Sequence, residues 1–379
     1  MERKQVRGQS TALIPEKLFR ISICVIAGFL TLALLPAAIN AATDTQNKLK
    51  AVLLTTVEAS SDRLRDLRRE GYNAAALNLT DGSSQPEKQA AQRIKKTGLD
   101  LYYWIEIARN PALADAHPEW MASLQGHPEW RRFFPKLPPT KTNEVVKIYP
   151  WVPVLYQESF PVHLERVRRL LADKPAPKGI LLNDLQGAPS ACGCGHHLCR
   201  WTTDYGPIKT ATRLSNDAAA RFVASVKKLL PKAKIIPVWT PECEEHDLDG
   251  LCAGVGCFKG TCWREFTAQL LPLAREAETI GALLPYREFQ RDLPIYGPTA
   301  GWIKHALNSF SEMPPKRNGA AVPANHLIAV LQGWDVTPEQ VKAQITRSEE
   351  AGAAGYVVSL MKVDQSWEPR IVNAKVAAR

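Results

Sequence analysis

Short apolar runs alternate with amphipathic stretches from residue 50 to residue 361. Lys50–Thr56 predicts a strand, and Ser61-Asp62 caps a helix that runs through Glu70 to a stop at Gly71. The unit then repeats, with a strand over Asn73–Leu79, a helix over Pro86–Lys96 and a glycine stop at Gly98. Leu101–Ile107 is a third strand, rich in β-formers. A helix over Pro161–Ala172, with Val162, Leu164, Val167, Leu170 and Leu171 at helical spacing, leads to strand four from Gly179. Next come a helix over Asn216–Leu230 capped by Ser215-Asn216, a strand over Lys234–Trp239 and a helix over Trp263–Ala277. Ile280–Tyr286 pairs with a helix over Gly301–Phe310, and Leu327–Leu331 with a helix from Thr337-Pro338 to Ala351. Gly355–Met361 supplies the eighth strand.

Eight strand signals interleaved with seven or eight helices, and no Gly/Ser linker between them, predict a single (β/α)₈ TIM barrel over 49–379. A doubly wound open sheet is the alternative. The connection from Arg109 to Phe160 is long and contains His117-Pro-Glu-Trp120 and His127-Pro-Glu-Trp130; its Trp and Phe content predicts order. Long, Cys-containing loops follow strands four and five.

The first 42 residues stand apart from this pattern. Arg3, Lys4, Arg7, Lys17 and Arg20 precede an apolar run from Ile21 to Leu35, and a small-residue stretch ends at Ala41-Ala42. That is the layout of a signal peptide over 1–42, which predicts an exported, periplasmic or extracellular protein. An uncleaved N-terminal anchor, which would tie the chain to a membrane, is the alternative. Losing these five basic and two acidic residues lowers the formal charge from +10 to +7. The remainder has no Lys/Arg runs interleaved with aromatics, so no nucleic-acid partner is expected.

Export changes how the cysteines read. Outside the leader stand Cys192, Cys194, Cys199, Cys243, Cys252, Cys257 and Cys262, all disulfide candidates in an oxidising compartment. Seven is odd, so at least one is free, metal-bound or paired between chains. No cofactor is favoured. If zinc or iron binds, the dense run Cys192, Cys194, His196, His197 and Cys199 is the place.

In barrels of this kind the residues just after each strand converge on one face. Those positions hold Asn78, Glu106, Asn183, Asp184, Trp239, Glu242, Tyr286, Arg287, Glu288, Gln332, Trp334, Asp335, Lys362 and Asp364. Glycosidic bond cleavage needs two carboxyl groups, and flat aromatic rings stack on sugar faces. Trp104, Trp151, Trp239, Trp334 and Trp367 suit a saccharide groove on that ground. The expected substrate-binding set is Glu106, Trp104, Asn183, Trp239, Tyr286, Arg287, Trp334, Asp335 and Asp364.

Tyr103-Trp-Ile-Glu106, His117-Pro-Glu-Trp120 and Leu181-Leu-Asn-Asp184, with a Cys cluster ending Cys199-Arg-Trp201, are the motifs by which the chain resembles exported glycoside-hydrolase-like TIM barrels of the family-ten-like type. The resemblance implies a carbohydrate substrate and a catalytic acid at the end of strand four, which is Asp184 here. The large retaining clan has Asn-Glu at strand four and Glu at strand seven, whereas this chain has Asn183-Asp184 and Gln332-Gly-Trp334-Asp335, with a shorter Asp at both places. The second carboxylate is then expected from Glu288 or Glu242, making the chain a glycosidase. Two other classes compete: a non-catalytic glycan-binding barrel, and a metal or redox protein centred on the Cys/His loops.

Overall fold

The computed structural model describes residues 48–82, 84–121, 136–185, 208–239, 276–285, 300–311, 322–363 and 368–373. In chain order the main elements are β1 (Leu49–Leu54), α1 (Ser61–Arg69), β2 (Ala74–Leu79), α2 (Ser84–Lys96), β3 (Asp100–Glu106) and α3 (Pro111–Ala116). These are followed by β4 (Glu144–Tyr149), α4 (Ser159–Leu171), β5 (Gly179–Asn183), α5 (Ile208–Leu229), β6 (Lys234–Trp239) and β7 (Ile280–Leu284). The chain continues with α6 (Gly301–Ser311), β8 (Leu327–Gln332), α7 (Pro338–Glu350), β9 (Gly355–Ser359) and β10 (Glu368–Asn373).

Eight parallel strands close into a barrel in the order β1-β2-β3-β5-β6-β7-β8-β9. These are the eight predicted strands, and the open-sheet alternative falls because β9 pairs with β1 from Leu49↔Gly355 to Leu53↔Ser359. That seam is tight. A Cβ on Gly355 would lie 2.2 Å from the Leu49 carbonyl oxygen. The strands are legible in sequence because both of their faces are apolar. One face fills the barrel with Ala51, Leu53, Tyr102, Trp104, Leu181, Ile236, Leu283, Val330 and Val357. The other packs Val52, Leu77, Tyr103, Ile180, Leu331 and Val358 against the helices.

Pro237 lies within β6, which pairs with β7 only through Val238↔Gly281 and Trp239↔Ala282. Both pairs come after the proline, so its missing N–H falls where that ladder has not begun. Helix α5 starts at Ile208, upstream of the predicted Asn216.

The excursion between β3 and α4 holds what the pattern did not predict. Within it lie α3 and β4, and β4 pairs antiparallel with β10 from Glu144↔Asn373 to Tyr149↔Glu368. Ala108, Trp120, Met121, Val146, Ile148, Trp151, Val152, Leu155 and Tyr156 give this excursion a core of its own. The expected order of this connection is thus found in its described part. The Cys-containing loops lie outside the described residues, as do residues 1–47.

Candidate active site

Side-chain parity decides what reaches the barrel mouth. On β3, Tyr102 and Trp104 point inward, and two residues on so does Glu106. On β5, inward Leu181 is followed by Asn183. Glu106 and Asn183 are register partners. The Asn183 amide donates to both carboxylate oxygens of Glu106, at 2.8 and 3.1 Å, and the Trp104 indole N–H donates to Oε1 at 2.6 Å. Burial pushes the Glu106 carboxyl up. The bonds from Trp104 and Asn183 offset part of that push, the neighbouring Asp184 adds to it and Arg109 opposes it, leaving the group at about 7. Glu106 is therefore poised to give or take a proton at neutral pH.

Asp184 follows β5 directly and sits in the left-handed region at φ 54°, where a short polar residue is tolerated better than a bulky one. Its carboxylate accepts the Trp151 indole N–H. Trp151 is brought there by main-chain stitching of the segment after β4: Val152 N–H donates to Ala108 O at 2.8 Å, and Val154 N–H to Leu185 O at 3.0 Å. In turn Ile107 and Ala108 N–H donate to the carbonyls of Asn183 and Asp184, at 3.0 and 2.8 Å. The Arg109 guanidinium lies over the Trp151 ring, 5.9 Å from its centroid. Two carboxylates on neighbouring strands thus share one rim, each held by a tryptophan N–H.

Of the expected substrate-binding residues, Glu106 and Asn183 come together as a hydrogen-bonded pair, with Asp184 directly after Asn183. Trp104 is fully buried and serves the mouth through its N–H rather than a ring face. Trp334 is inward and buried, while Asp335 beside it is exposed with φ 52°. Trp239 has the opposite parity and packs in the layer between strands and helices. Glu242, Tyr286, Arg287, Glu288 and Asp364 lie outside the described residues, as do all the cysteines, His196 and His197. Among the described residues no group of three or more His, Cys, Asp or Glu could hold a metal.

Three residues that pattern reading passed over support this group. Arg166 donates from Nη1 to the Glu106 carbonyl and from Nε to Asp81 at 2.7 Å. His163 bonds the Val152 carbonyl at 2.8 Å, and Ser159 the Pro153 carbonyl at 2.7 Å. The available signal was their spacing on α4, at i, i+4 and i+7.

No family model matches the chain, and neither does any curated protein. Among solved structures it is similar to a hyperthermostable endo-1,4-beta-D-mannanase from Thermotoga petrophila RKU-1, at 12% identity over 83% of this chain and 88% of that one, with a TM-score of 0.45. A second structure of an endo-beta-1,4-mannanase from Thermotoga petrophila is 11% identical over 83% of this chain and 68% of that one, with a TM-score of 0.47. A broad-specificity endoglucanase from an uncultured bacterium is 10% identical over 84% and 85%, with a TM-score of 0.39.

Proposed function

We propose that the barrel mouth hydrolyses glycosidic bonds of a poly- or oligosaccharide, with Glu106 and Asp184 as acting carboxylates. The observation that carries this reading is geometric: Glu106, held by the Trp104 and Asn183 N–H groups and pushed up by burial, is the register partner of Asn183, the residue directly before a second carboxylate, Asp184. Glycoside hydrolysis uses one carboxylic acid to protonate the leaving oxygen and a second carboxylate to attack or to activate water. Glu106 is the proton donor, since a group at about 7 stays partly protonated at neutral pH. Asp184 is the anionic partner, its charge met by the Trp151 N–H. Glu242 and Glu288, placed after β6 and β7 in sequence, are the other candidates for the second carboxyl group.

The setting proposed is export, with 1–42 removed as a signal and the cysteines after β5 and β6 paired as disulfides. Stoichiometric zinc or iron in the purified protein would instead favour the metal site at Cys192, Cys194, His196, His197 and Cys199.

The decisive assay is reducing-end release by the full-length mature protein on a panel of soluble polysaccharides. Wild type is expected to release reducing ends from at least one, and Asp184→Asn to lose about 10³-fold or more of that turnover. Glycan binding without any release by wild type, or full turnover in Asp184→Asn, overturns the reading.

A further inference from the structure

We infer that one face of helix α4 is a positioning device for both mouth carboxylates, built from Ser159, His163 and Arg166. The inference rests on the reading of Glu106 and Asp184 as the acting pair. All three side chains are buried, at 0%, 1% and 8% exposure, on a helix that otherwise buries Val167 and Leu170. Polar side chains this deep must be hydrogen-bonded, and here each reaches a main-chain carbonyl beside the site. Ser159 holds Pro153 O, His163 holds Val152 O and Arg166 holds Glu106 O.

The two arms lead to different carboxylates. Val152 follows Trp151, whose N–H meets Asp184, so the Ser159 and His163 bonds fix the segment that aims that indole. Arg166 grips Glu106 itself at the main chain and is anchored by Asp81. Asp81 is also bound by Arg169 at 3.0 Å. Burial pushes the Asp81 carboxyl up, but the two guanidinium groups outweigh it and hold the group below its ordinary value.

The imidazole supports a fixed role. A carbonyl can only accept, so Nε2 carries the proton toward Val152 O. Nδ1, buried and without a hydrogen-bond partner, carries the lone pair. Burial holds His163 down to about 4, so it remains neutral through the neutral range. Its job at that pH is geometric.

The test compares His163→Gln, whose amide nitrogen can stand where Nε2 stands, with His163→Asn, which is too short. Leu170→Ala is the control, being buried on the same helix with no bond toward the mouth. The readout is the Trp151 indole N–H resonance of the full chain, assigned by its loss in Trp151→Phe. It is expected to stay in place in His163→Gln and Leu170→Ala, and to move toward its Asp184→Asn position in His163→Asn. Turnover should fall about tenfold to a hundredfold in His163→Asn and Arg166→Lys with KM little changed, and recover in His163→Gln. An unmoved resonance in folded His163→Asn, or an equal displacement in Leu170→Ala, overturns the proposal. Should the Asn variant not fold, Ser159→Ala, which removes a single hydroxyl, is read in the same way. Absence of turnover in wild type counts against the hydrolase reading alone, because the resonance needs no substrate.

Discussion

The two sides of the barrel mouth are built from similar residues and do opposite things. On the β3–β5 side, Asn183 and Trp104 direct their N–H groups at a carboxylate, and a third N–H, from Trp151, meets Asp184. On the β8–β9 side, the same kinds of group turn back on the backbone. Gln332 donates to Trp334 O at 3.1 Å, and Ser359 to Met361 O at 2.5 Å. Gln344 of α7 closes the β8 end by accepting from Gln332 N–H at 3.0 Å and donating to Gln332 O at 2.7 Å. One side aims its donors at carboxylates, whereas on the other the amide and hydroxyl named here bond main-chain carbonyls. Among the described residues, Asp184 is the acidic neighbour that raises Glu106.

The contrast breaks most sharply at Glu106. Glu106→Gln keeps the shape and removes the proton, and is expected to lower turnover about 10²- to 10⁴-fold. The limb of the kcat/KM profile set near pH 7 should vanish with it. An unchanged profile would move the acid elsewhere on the rim.

A smaller effect, on stability, is expected across the barrel. Gln344→Leu removes the two side-chain bonds to the buried Gln332 main chain, a loss of about 1 to 3 kcal/mol by denaturant unfolding. Gln332 carries no charge for the reaction, so turnover at a temperature where the variant is folded should change less than in Glu106→Gln.

Glu106 also carries a pH signature. Its carboxyl is raised in the folded chain, so the folded state holds that proton more tightly than the unfolded state does. Stability from this source is fully present below about pH 4.5 and is lost as pH rises through about 7. Glu106→Gln should therefore be more stable than wild type at pH 8, by on the order of 2 kcal/mol, with the advantage gone at pH 4.5. Thermal melts at the two pH values check the sign. A Gln variant less stable at pH 8 would mean that the bonds from Trp104 and Asn183 outweigh the cost of burial.

The smallest effect tests the scaffold of the β8–β9 side. Thr337 caps α7 in a reciprocal box with Gln340, at 3.3 and 2.9 Å. Thr337→Ala should cost about 1 kcal/mol in unfolding free energy and leave turnover unaltered.

Much of this molecule was legible before any tertiary contact was considered. The eight barrel strands stand out because parallel strands covered on both faces read as unbroken apolar runs, and their carboxyl ends put Glu106, Asn183 and Asp184 among fourteen residues expected on one face. β4 and β10 escaped because each is stabilised by a partner more than 200 residues away rather than by a local pattern. Trp239 was placed at the mouth by its position after an apolar run, but strand register turned it outward. The polar stripe of α4 was hidden because hydropathy counts Ser159, His163 and Arg166 as surface, and only the packed fold brings the Pro153, Val152 and Glu106 carbonyls to them.

Sequence by itself marked the eight strands and put an acid directly after the β5 strand, because local periodicity is enough for those; the β9–β1 pairing that closes the barrel came from tertiary structure. Tertiary structure decided the surroundings of Glu106 and pushed its carboxyl up to about 7. Burial and Asp184 raise its proton affinity against the pull of the Trp104 and Asn183 donors and of Arg109, and none of these effects exists until the strands are in register.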